Sequence, residues 1–214
     1  DFVDIIKRNQ YYVDKTMYLP KMEAVSDFLF FIRPRRFGKS LFLSMVADYY
    51  DCENYKDIDE EFQGTWIAEH PLETKGKFQV LSLDFSQVVG CADNLQDAFH
   101  VYLGIKIDAF LRKYGKYYSQ KAIEAAHNAP TAGGKIAAFV GEAKEKGYRL
   151  YLIIDEYDNF TNVVLNEQGH DVYHEMTHGS GFYRDVFKTF KPNFTRILFM
   201  GVSPITLDDL TSGF

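Results

Sequence analysis

The stretch from Phe28 to Tyr50 limits the fold of this chain more than any other, and it reads FLFFIRPRRFGKSLFLSMVADYY. The apolar run from Phe28 to Ile32 is typical of a buried strand, and after Gly38 apolar side chains recur at helical spacing. Phosphate-binding loops use this order of strand, loop and helix, because the loop amides and the helix N-terminus together attract an anion. The stretch therefore predicts a site for the phosphates of a nucleotide.

The triplet Gly38-Lys39-Ser40 supplies the side chains of a Walker A motif. Lys39 would reach the β- and γ-phosphates, and the hydroxyl of Ser40 would hold Mg²⁺. The full pattern is Gly-x-x-x-x-Gly-Lys-Ser/Thr, and Arg33 occupies the place of its first glycine. Because Arg33 carries a Cβ and resists positive φ, we expect the loop to open differently, helped by the fixed φ of Pro34. The predicted nucleotide-binding residues of the loop are Arg33, Pro34, Arg35, Arg36, Phe37, Gly38, Lys39, Ser40 and Leu41.

A second motif lies more than a hundred residues further on, where an apolar, β-branched run from Tyr148 ends in Asp155 and Glu156. A central strand that delivers two acids to its C-terminal edge is typical of a Walker B motif. In P-loop enzymes the first carboxylate holds the Mg²⁺ shell and an adjacent Glu can polarise the attacking water, so Asp155 and Glu156 fit those roles. Alternatively, the two acids simply cap a buried strand. The two motifs in this order favour nucleotide binding.

Three segments together, Tyr12 to Thr16, Arg33 to Ser40 and Ile154 to Asp158, resemble the bacterial AAA-ATPase-like family. The segment RPRRFGKS is specific to that family, in which Arg33 is the expected residue. The resemblance covers nearly the whole chain and implies an ATPase domain that uses ATP and Mg²⁺. It also implies a C-terminal effector domain of the same chain, similar to PD-(D/E)XK nucleases, as a partner, with nucleic acid contacted only through that missing part.

Composition sets the class of protein. A chain of 214 residues with 46% hydrophobic content can bury one sizeable core. We expect a protein without membrane contact, because the sequence has neither an apolar run of membrane-spanning length nor a signal peptide. Cys52 and Cys91 lack metal-ligand spacing, which favours packing roles and a reducing cytoplasm. A net charge of −6 argues against a large nucleic-acid footprint.

The remaining pattern predicts an α/β fold of the P-loop NTPase type, a three-layer sandwich of a mainly parallel sheet with helices on both faces. Strands are predicted at Phe28–Ile32, Phe78–Phe85, Tyr148–Asp155 and Arg196–Val202. Helices are predicted at Met17–Val25, Leu41–Tyr50, Asp93–Tyr118, Ile136–Lys146 and Phe182–Phe190. We expect Asp4 to Gln10 to form a polar turn, and Asp51 to Lys77 to begin with a solvated run of acids. The last strand should lie between the phosphate-loop strand and the acid-bearing strand.

Several further residues are candidates, each with an ordinary alternative. Ser203, at the tip of the last strand, could sense the γ-phosphate or belong to a simple turn. Tyr11, Tyr12 and Lys15 could contact adenine, or the tyrosines could pack at an edge while Lys15 is solvated. Asp84 could line the site or end its strand.

The two arginines before Phe37 have several interpretations. Arg35 and Arg36 could contact phosphates, pair with Asp155 or Asp158, face a partner, or form a solvated basic loop.

A competing motif occurs at His174-Glu175-Met176-Thr177-His178, which matches the His-Glu-x-x-His pattern of zinc peptidases. The place of the third ligand in the longer pattern holds Arg184, which cannot bind zinc. His170 could replace it, but three ligands at successive i, i+4 steps drift around a helix. The zinc peptidase is therefore a remote alternative.

The sequence as a whole predicts an ATP-binding, Mg²⁺-dependent P-loop ATPase in which Lys39 and Glu156 are catalytic. The alternative is a nucleotide-loaded interaction module with little hydrolysis. We expect residues 1–214 to form the AAA-ATPase-like core, ending before a fifth strand, a lid and a C-terminal domain. Such a core would have a half-open site, weak ATP binding and slow turnover. The exposed edge of its first strand would favour homo-oligomers.

Overall fold

A four-stranded parallel sheet forms the centre of the computed structural model, which describes residues 1–88, 94–159, 164–165 and 182–203. Its strands are β1 (Phe28–Ile32), β2 (Phe78–Asp84), β3 (Arg149–Asp155) and β4 (Arg196–Gly201). They lie in the order β1-β4-β3-β2, and each neighbouring pair is parallel. The prediction that the last strand lies between the phosphate-loop strand and the acid-bearing strand is confirmed.

Helices connect the strands and cover the sheet. Their bounds are α1 (Phe2–Lys7), α2 (Leu19–Val25), α3 (Lys39–Tyr50), α4 (Ile58–Glu61), α5 (Trp66–Glu69), α6 (Leu95–Tyr114), α7 (Gln120–Asn128), α8 (Ala132–Glu145) and α9 (Phe182–Phe190). Short 3₁₀ turns occupy Thr16–Tyr18, Phe85–Gln87 and Gly115–Tyr117. In the described part of the chain, none of these helices combines the length and apolar character needed to cross a membrane.

Alternate residues of the strands enter two hydrophobic cores, one on each face of the sheet. In β3, Leu152 and Ile154 pack with α6, α8 and α9, whereas Tyr151 and Ile153 pack with α1 and α3. Burial on both faces explains why β3 reads as a continuous apolar run instead of an alternating one. The α/β P-loop NTPase sandwich predicted from the sequence is therefore confirmed.

Helix α1 occupies the first part of the segment expected to be a polar turn, and only Arg8 and Asn9 form a turn there. Phe2 is fully buried, and its ring lies 4.6 Å from that of Phe62. The amide of Phe2 donates to Oγ of Ser44 at 2.8 Å, which ties α1 to α3. The prediction was wrong because a six-residue helix is too short to show a helical period, and its stability comes from tertiary contacts.

The acidic run after α3 is only partly solvated. Asp57, Asp59 and Glu60 are exposed as expected, but Asp51 and Glu61 are buried. Asp51 pairs with Lys113 of α6, and Glu61 accepts a hydrogen bond of 2.7 Å from Asn54. Lys7 also places its Nζ atom 3.7 Å from Oε1 of Glu61. Lys113 and Lys7, both distant in sequence, therefore compensate two charges that the local pattern placed in water.

Helix α7 lies between two of the predicted helices, in residues for which the sequence predicts no helix. Helix α8 begins at Ala132, four residues before the expected start at Ile136. Ser119 and Thr131 cap the two helices through hydrogen bonds to the amides of Ala122 and Gly134, at 3.3 and 3.1 Å. Such caps stabilise the first turn and offset the low helix propensity of glycine there. Gly133 and Gly134 lie in the first turn of α8, and their low helix propensity is the reason why the sequence pattern places its start at Ile136.

Candidate functional site

The predicted phosphate loop connects β1 to α3, and its left-handed residues are not at Arg33. Positive φ occurs at Arg36 (66°) and Gly38 (71°). The amide of Arg33 donates to the carbonyl of Gly201 at 3.0 Å, so Arg33 extends the pairing of β1 with β4. Its Cβ therefore causes no backbone strain, and the strain falls on Arg36.

Helix α3 begins at Lys39, with Gly38 as its N-cap and no side-chain hydrogen bond to the cap. The first amides of a helix have no intrahelical acceptor and form the positive end of the helix dipole. The start of this twelve-residue helix is therefore electrostatically suited to an anion such as phosphate.

Lys39 is the cation closest to that helix start, and only 8% of it is exposed. Its Nζ atom donates to the carbonyl of Pro34 at 3.4 Å, across the loop. The charge of Lys39 also acts on the carboxyl groups of Asp155 and Glu156. An anion bound in the loop would add a direct counter-charge to this buried ammonium.

Ser40 and Asp155 meet at the C-terminal edge of the sheet. The hydroxyl of Ser40 donates to Oδ2 of Asp155 at 2.6 Å. Burial raises the pKa of Asp155, and the Ser40 hydrogen bond opposes that rise. A hydroxyl and a carboxylate oxygen held this close are the hard ligands that Mg²⁺ prefers.

Glu156 follows directly and has a left-handed backbone, with φ of 50°. Its amide donates to Oδ1 of Asp155 at 2.9 Å, which fixes the turn after β3. Burial, followed by the charges of Asp155 and Asp84, raises the pKa of Glu156, while Lys39 and Arg35 act in the opposite direction. A partly buried carboxyl with a raised pKa suits proton transfer or the orientation of water.

Asp84 lies beside this pair, because β2 places it in register with Asp155. Its carboxylate accepts hydrogen bonds from the amide of Ser86 at 3.0 Å and from Nε2 of Gln87 at 3.0 Å. These contacts are those of a residue that ends a strand and caps the next turn. Its charge still raises the pKa of Asp155 and Glu156.

Ser203 lies just beyond β4, between the phosphate loop and the acid pair. Its amide donates to Oδ2 of Asp158 at 2.6 Å, and its carbonyl accepts from the hydroxyl of Tyr157 at 2.7 Å. The turn that carries the predicted sensor is thus held by the loop that carries the predicted acids.

A cavity of about 220 Å³ opens beside the loop. Three of the side chains around it are cations and four are aromatic, which combines attraction for an anion with surfaces for a flat ring. The lining residues are Lys15, Tyr18, Phe31, Arg33, Phe37, Gly38, Lys39, Phe42 and Met200.

Lys15 reaches the loop because its neighbours are anchored elsewhere. Asp14 accepts a hydrogen bond of 2.7 Å from the amide of Trp66, and Thr16 accepts one of 3.1 Å from the amide of Ile67, both in α5. The Nζ atom of Lys15, between them, lies 3.5 Å from the carbonyl oxygen of Phe37. Lys15 therefore lies against the predicted phosphate loop.

The other predicted base contacts are placed differently. Tyr12 packs its ring 5.1 Å from that of Phe2, and Tyr11 is 92% exposed. Tyr18 lines the cavity, although the sequence did not single it out. A tyrosine in a short turn before a helix carries no pattern that distinguishes it from a packing residue.

Arg35 and Arg36 are exposed, and neither forms an ion pair with a carboxylate in the described ranges. The pairing with Asp155 or Asp158 considered from the sequence is therefore absent there. The motif from His174 to His178 lies outside the described residues, as does Cys91.

The whole chain resembles known proteins in two comparisons. A curated protein of Azotobacter chroococcum mcd 1, described as "Uncharacterized protein in vnfD 5'region", is 25% identical over 210 residues. The match covers 95% of this chain and 36% of the relative, so the chain spans about a third of that protein's length. No solved structure matches the chain. The family model described as "AAA-ATPase_like: Predicted AAA-ATPase" matches residues 1–211, and the chain belongs to that family.

Proposed function

We propose that this chain is an ATP-binding, Mg²⁺-dependent P-loop ATPase domain. The observation that carries the proposal is the 2.6 Å hydrogen bond between Ser40 and Asp155, formed beside the buried Lys39 at the start of α3. Membership of a family of predicted AAA-ATPases supports the same function. A purely structural loop has no need of a buried ammonium next to an uncapped helix N-terminus.

Each residue of the site has a role in this proposal. Lys39 and the loop amides would bind the phosphates. Ser40 and Asp155 would hold Mg²⁺, which would supply positive charge against that of the phosphates. Glu156 orients the attacking water and accepts its proton. The remaining loop residues, Arg33 to Phe37 and Leu41, shape the phosphate cradle.

The base of the nucleotide fits the cavity beside the loop. Tyr18 and Phe37 offer aromatic faces there, and Lys15 offers a cation near Gly38. A purine stacked on such a face gains dispersion energy with little loss of side-chain entropy. Ser203 would sense the γ-phosphate from the tip of β4.

Coupling to an effector is also part of the proposal. Nucleotide state would be transmitted to a nuclease-like domain of the same chain, through a fifth strand and a lid beside β1. In the described sheet β1 lies at an edge, so its free side could pair with another strand of the same chain or with a second copy of the chain. These partners are proposals that the family resemblance suggests.

Phosphate release from ATP, measured with and without Mg²⁺, tests the function. We expect turnover only with Mg²⁺, and a loss of roughly 10²-fold in Ser40→Ala and Asp155→Asn, because each removes a ligand or its charge. Ser119→Ala is the matched control, since it removes a hydroxyl that caps α7 far from the site. Equal turnover without Mg²⁺ contradicts the proposal, whereas ATP binding without turnover indicates the interaction module.

A further inference from the structure

The tip of β4 is held on both sides by loops of the proposed site. On one side the amide of Arg33 donates to the carbonyl of Gly201 at 3.0 Å. On the other side the amide of Tyr157 donates to the carbonyl of Met200 at 3.3 Å. The phosphate loop and the acid-bearing loop are therefore bridged by one short segment.

Asp158 makes the strongest contacts of this bridge. It is 3% exposed, and its Oδ2 atom accepts hydrogen bonds from the amides of Val202 at 3.0 Å and Ser203 at 2.6 Å. The hydroxyl of Tyr157 adds a hydrogen bond of 2.7 Å to the carbonyl of Ser203. Hydrogen bonds to a buried carboxylate are stronger than those between neutral groups, so this turn has little freedom.

Gly201 allows the side chains of Tyr157 and Asp158 to lie close to the backbone of β4. A Cβ added there would lie 2.5 Å from Cε1 of Tyr157 and 2.7 Å from Oδ1 of Asp158, closer than real contacts permit. Both rigid neighbours would have to move to admit it. The two residues after Glu156 are therefore packed directly against the backbone of β4.

Glu156 is fixed from both directions by these contacts. Its amide is bonded to Asp155, and its carbonyl accepts from the amide of Asn159 at 2.9 Å. Its left-handed φ of 50° is a strained conformation that surrounding contacts must maintain. The Asp158 bridge lies two residues further along the same turn and holds that turn against the end of β4.

We propose that Asp158 is a positioning residue for ATP hydrolysis, which sets Ser203 and Glu156 at a fixed separation across the γ-phosphate position. It acts through these two residues and touches no substrate. The inference rests on the proposed ATPase function and assigns to Asp158 a role beyond the ordinary cap of a turn.

The test compares kcat and the ATP dissociation constant of wild type with those of three variants. Asp158→Ala should lower kcat by roughly 10- to 100-fold, because displacement of a catalytic group by about 1 Å costs a factor of this size. ATP affinity should change less than about 2-fold, since Lys39 and the loop are untouched.

Asp158→Asn keeps an oxygen that can accept hydrogen bonds from both amides, and its kcat should lie within about 3-fold of wild type. Tyr157→Phe, which removes one neutral hydrogen bond, should lower kcat by about 3-fold.

Asp51→Ala is the matched control. Asp51 is also buried, at 4% exposure, and also accepts from a backbone amide, that of Glu53 at 2.9 Å. It lies at the C-terminal end of α3, away from the site. Its removal should lower the melting temperature without changing kcat per folded molecule.

The outcomes separate this inference from the function on which it rests. Reduced kcat at unchanged ATP affinity in Asp158→Ala, with recovery in Asp158→Asn, supports the positioning role. Unchanged kcat in a folded Asp158→Ala, or equal loss in Asp51→Ala, overturns it while the ATPase function stands. If Asp158→Ala does not fold, Tyr157→Phe decides: unchanged kcat overturns the inference and reduced kcat supports it. Absence of turnover in wild type overturns both.

Discussion

The hydroxyl of Ser40 donates a hydrogen bond of 2.6 Å to Oδ2 of Asp155, although 115 residues separate the two in sequence. The contact forms because β1 and β3 are parallel, so the start of α3 and the end of β3 lie at the same edge of the sheet. It places one hydroxyl and one carboxylate of two separate motifs in a single proposed metal site.

Glu156→Gln should separate binding from hydrolysis. The amide keeps the shape of the side chain but cannot accept a proton, so we expect turnover to fall by roughly 10²-fold or more. ATP affinity should not fall, because a nearby negative charge has been removed. Rapid-quench and binding measurements on the same preparation check both parts, and equal turnover in variant and wild type would place the base elsewhere.

Arg36→Gly should stabilise the protein, whereas Arg33→Gly should not. Arg36 has φ of 66°, which glycine adopts without steric cost, so we expect a gain of about 0.5 to 1 kcal/mol in the free energy of unfolding. Arg33 continues the β1 pairing, and glycine there should cost about 0.5 to 1 kcal/mol. Urea denaturation of the two variants measures both effects, and the reverse order would contradict the loop geometry.

Lys15→Ala should weaken ATP binding by roughly 10-fold, the scale of one charge-assisted contact to a phosphate. The anchoring of Asp14 and Thr16 to α5 holds Lys15 over the loop, where the proposed nucleotide would meet a side chain already in place. Lys121→Ala, an exposed lysine of α7, is the control. Titration with ATP and with adenosine distinguishes a phosphate contact from a base contact, and unchanged affinity for both would remove Lys15 from the site.

Asp48 should make stability depend on pH. Burial, followed by the charges of Glu61 and Asp51, raises its pKa to about 7, against the influence of Lys113 and the chain's N-terminal amine. In the described part of the chain, its buried Oδ2 has no hydrogen-bond partner. The folded state then binds more protons than the unfolded state between about pH 4 and 7, so stability falls as the pH rises through that range.

Asp48→Asn removes this titration. We expect the variant to exceed wild type by about 1 to 2 kcal/mol near pH 8, with a smaller difference near pH 5. Denaturant unfolding at both pH values measures it. Asp57→Asn, at an exposed position of the same region, should show no such pH-dependent gain. An equal gain at both pH values would show that the Asp48 charge is not responsible.

The sequence predicted the parts of the fold that depend on strong local patterns. The β1 and β3 runs, helix α3 and the place of β4 followed from apolar period and from motif order. Helices α1 and α7 could not be predicted in this way, because six and nine residues give few repeats of a helical period. The start of α8 was placed too late because its first turn contains glycines that the Thr131 cap makes tolerable.

Some features of the candidate site could likewise be predicted from the sequence, and others could not. The meeting of Ser40 with Asp155 follows from two motifs on parallel strands. The left-handed φ of Arg36 could not be predicted from these motifs, because it belongs to a loop whose first residue, Arg33, pairs with β4. The direction of Lys15 could not be predicted either, because it depends on the anchoring of Asp14 to α5. Burial of Asp51 likewise depends on Lys113, which lies 62 residues away. Contacts between residues so far apart in sequence cannot be recognised from the spacing of neighbouring residues.

Calorimetric titration with ATP in the presence of Mg²⁺, on wild type and Lys39→Ala, tests the central claim most directly. Lys39 is the buried cation of the loop, so its loss should abolish detectable binding, while wild type binds ATP. Circular dichroism and the melting temperature establish that the variant is folded. The same ATP affinity in a folded Lys39→Ala and in wild type would contradict the assignment of the β1–α3 loop as the nucleotide site.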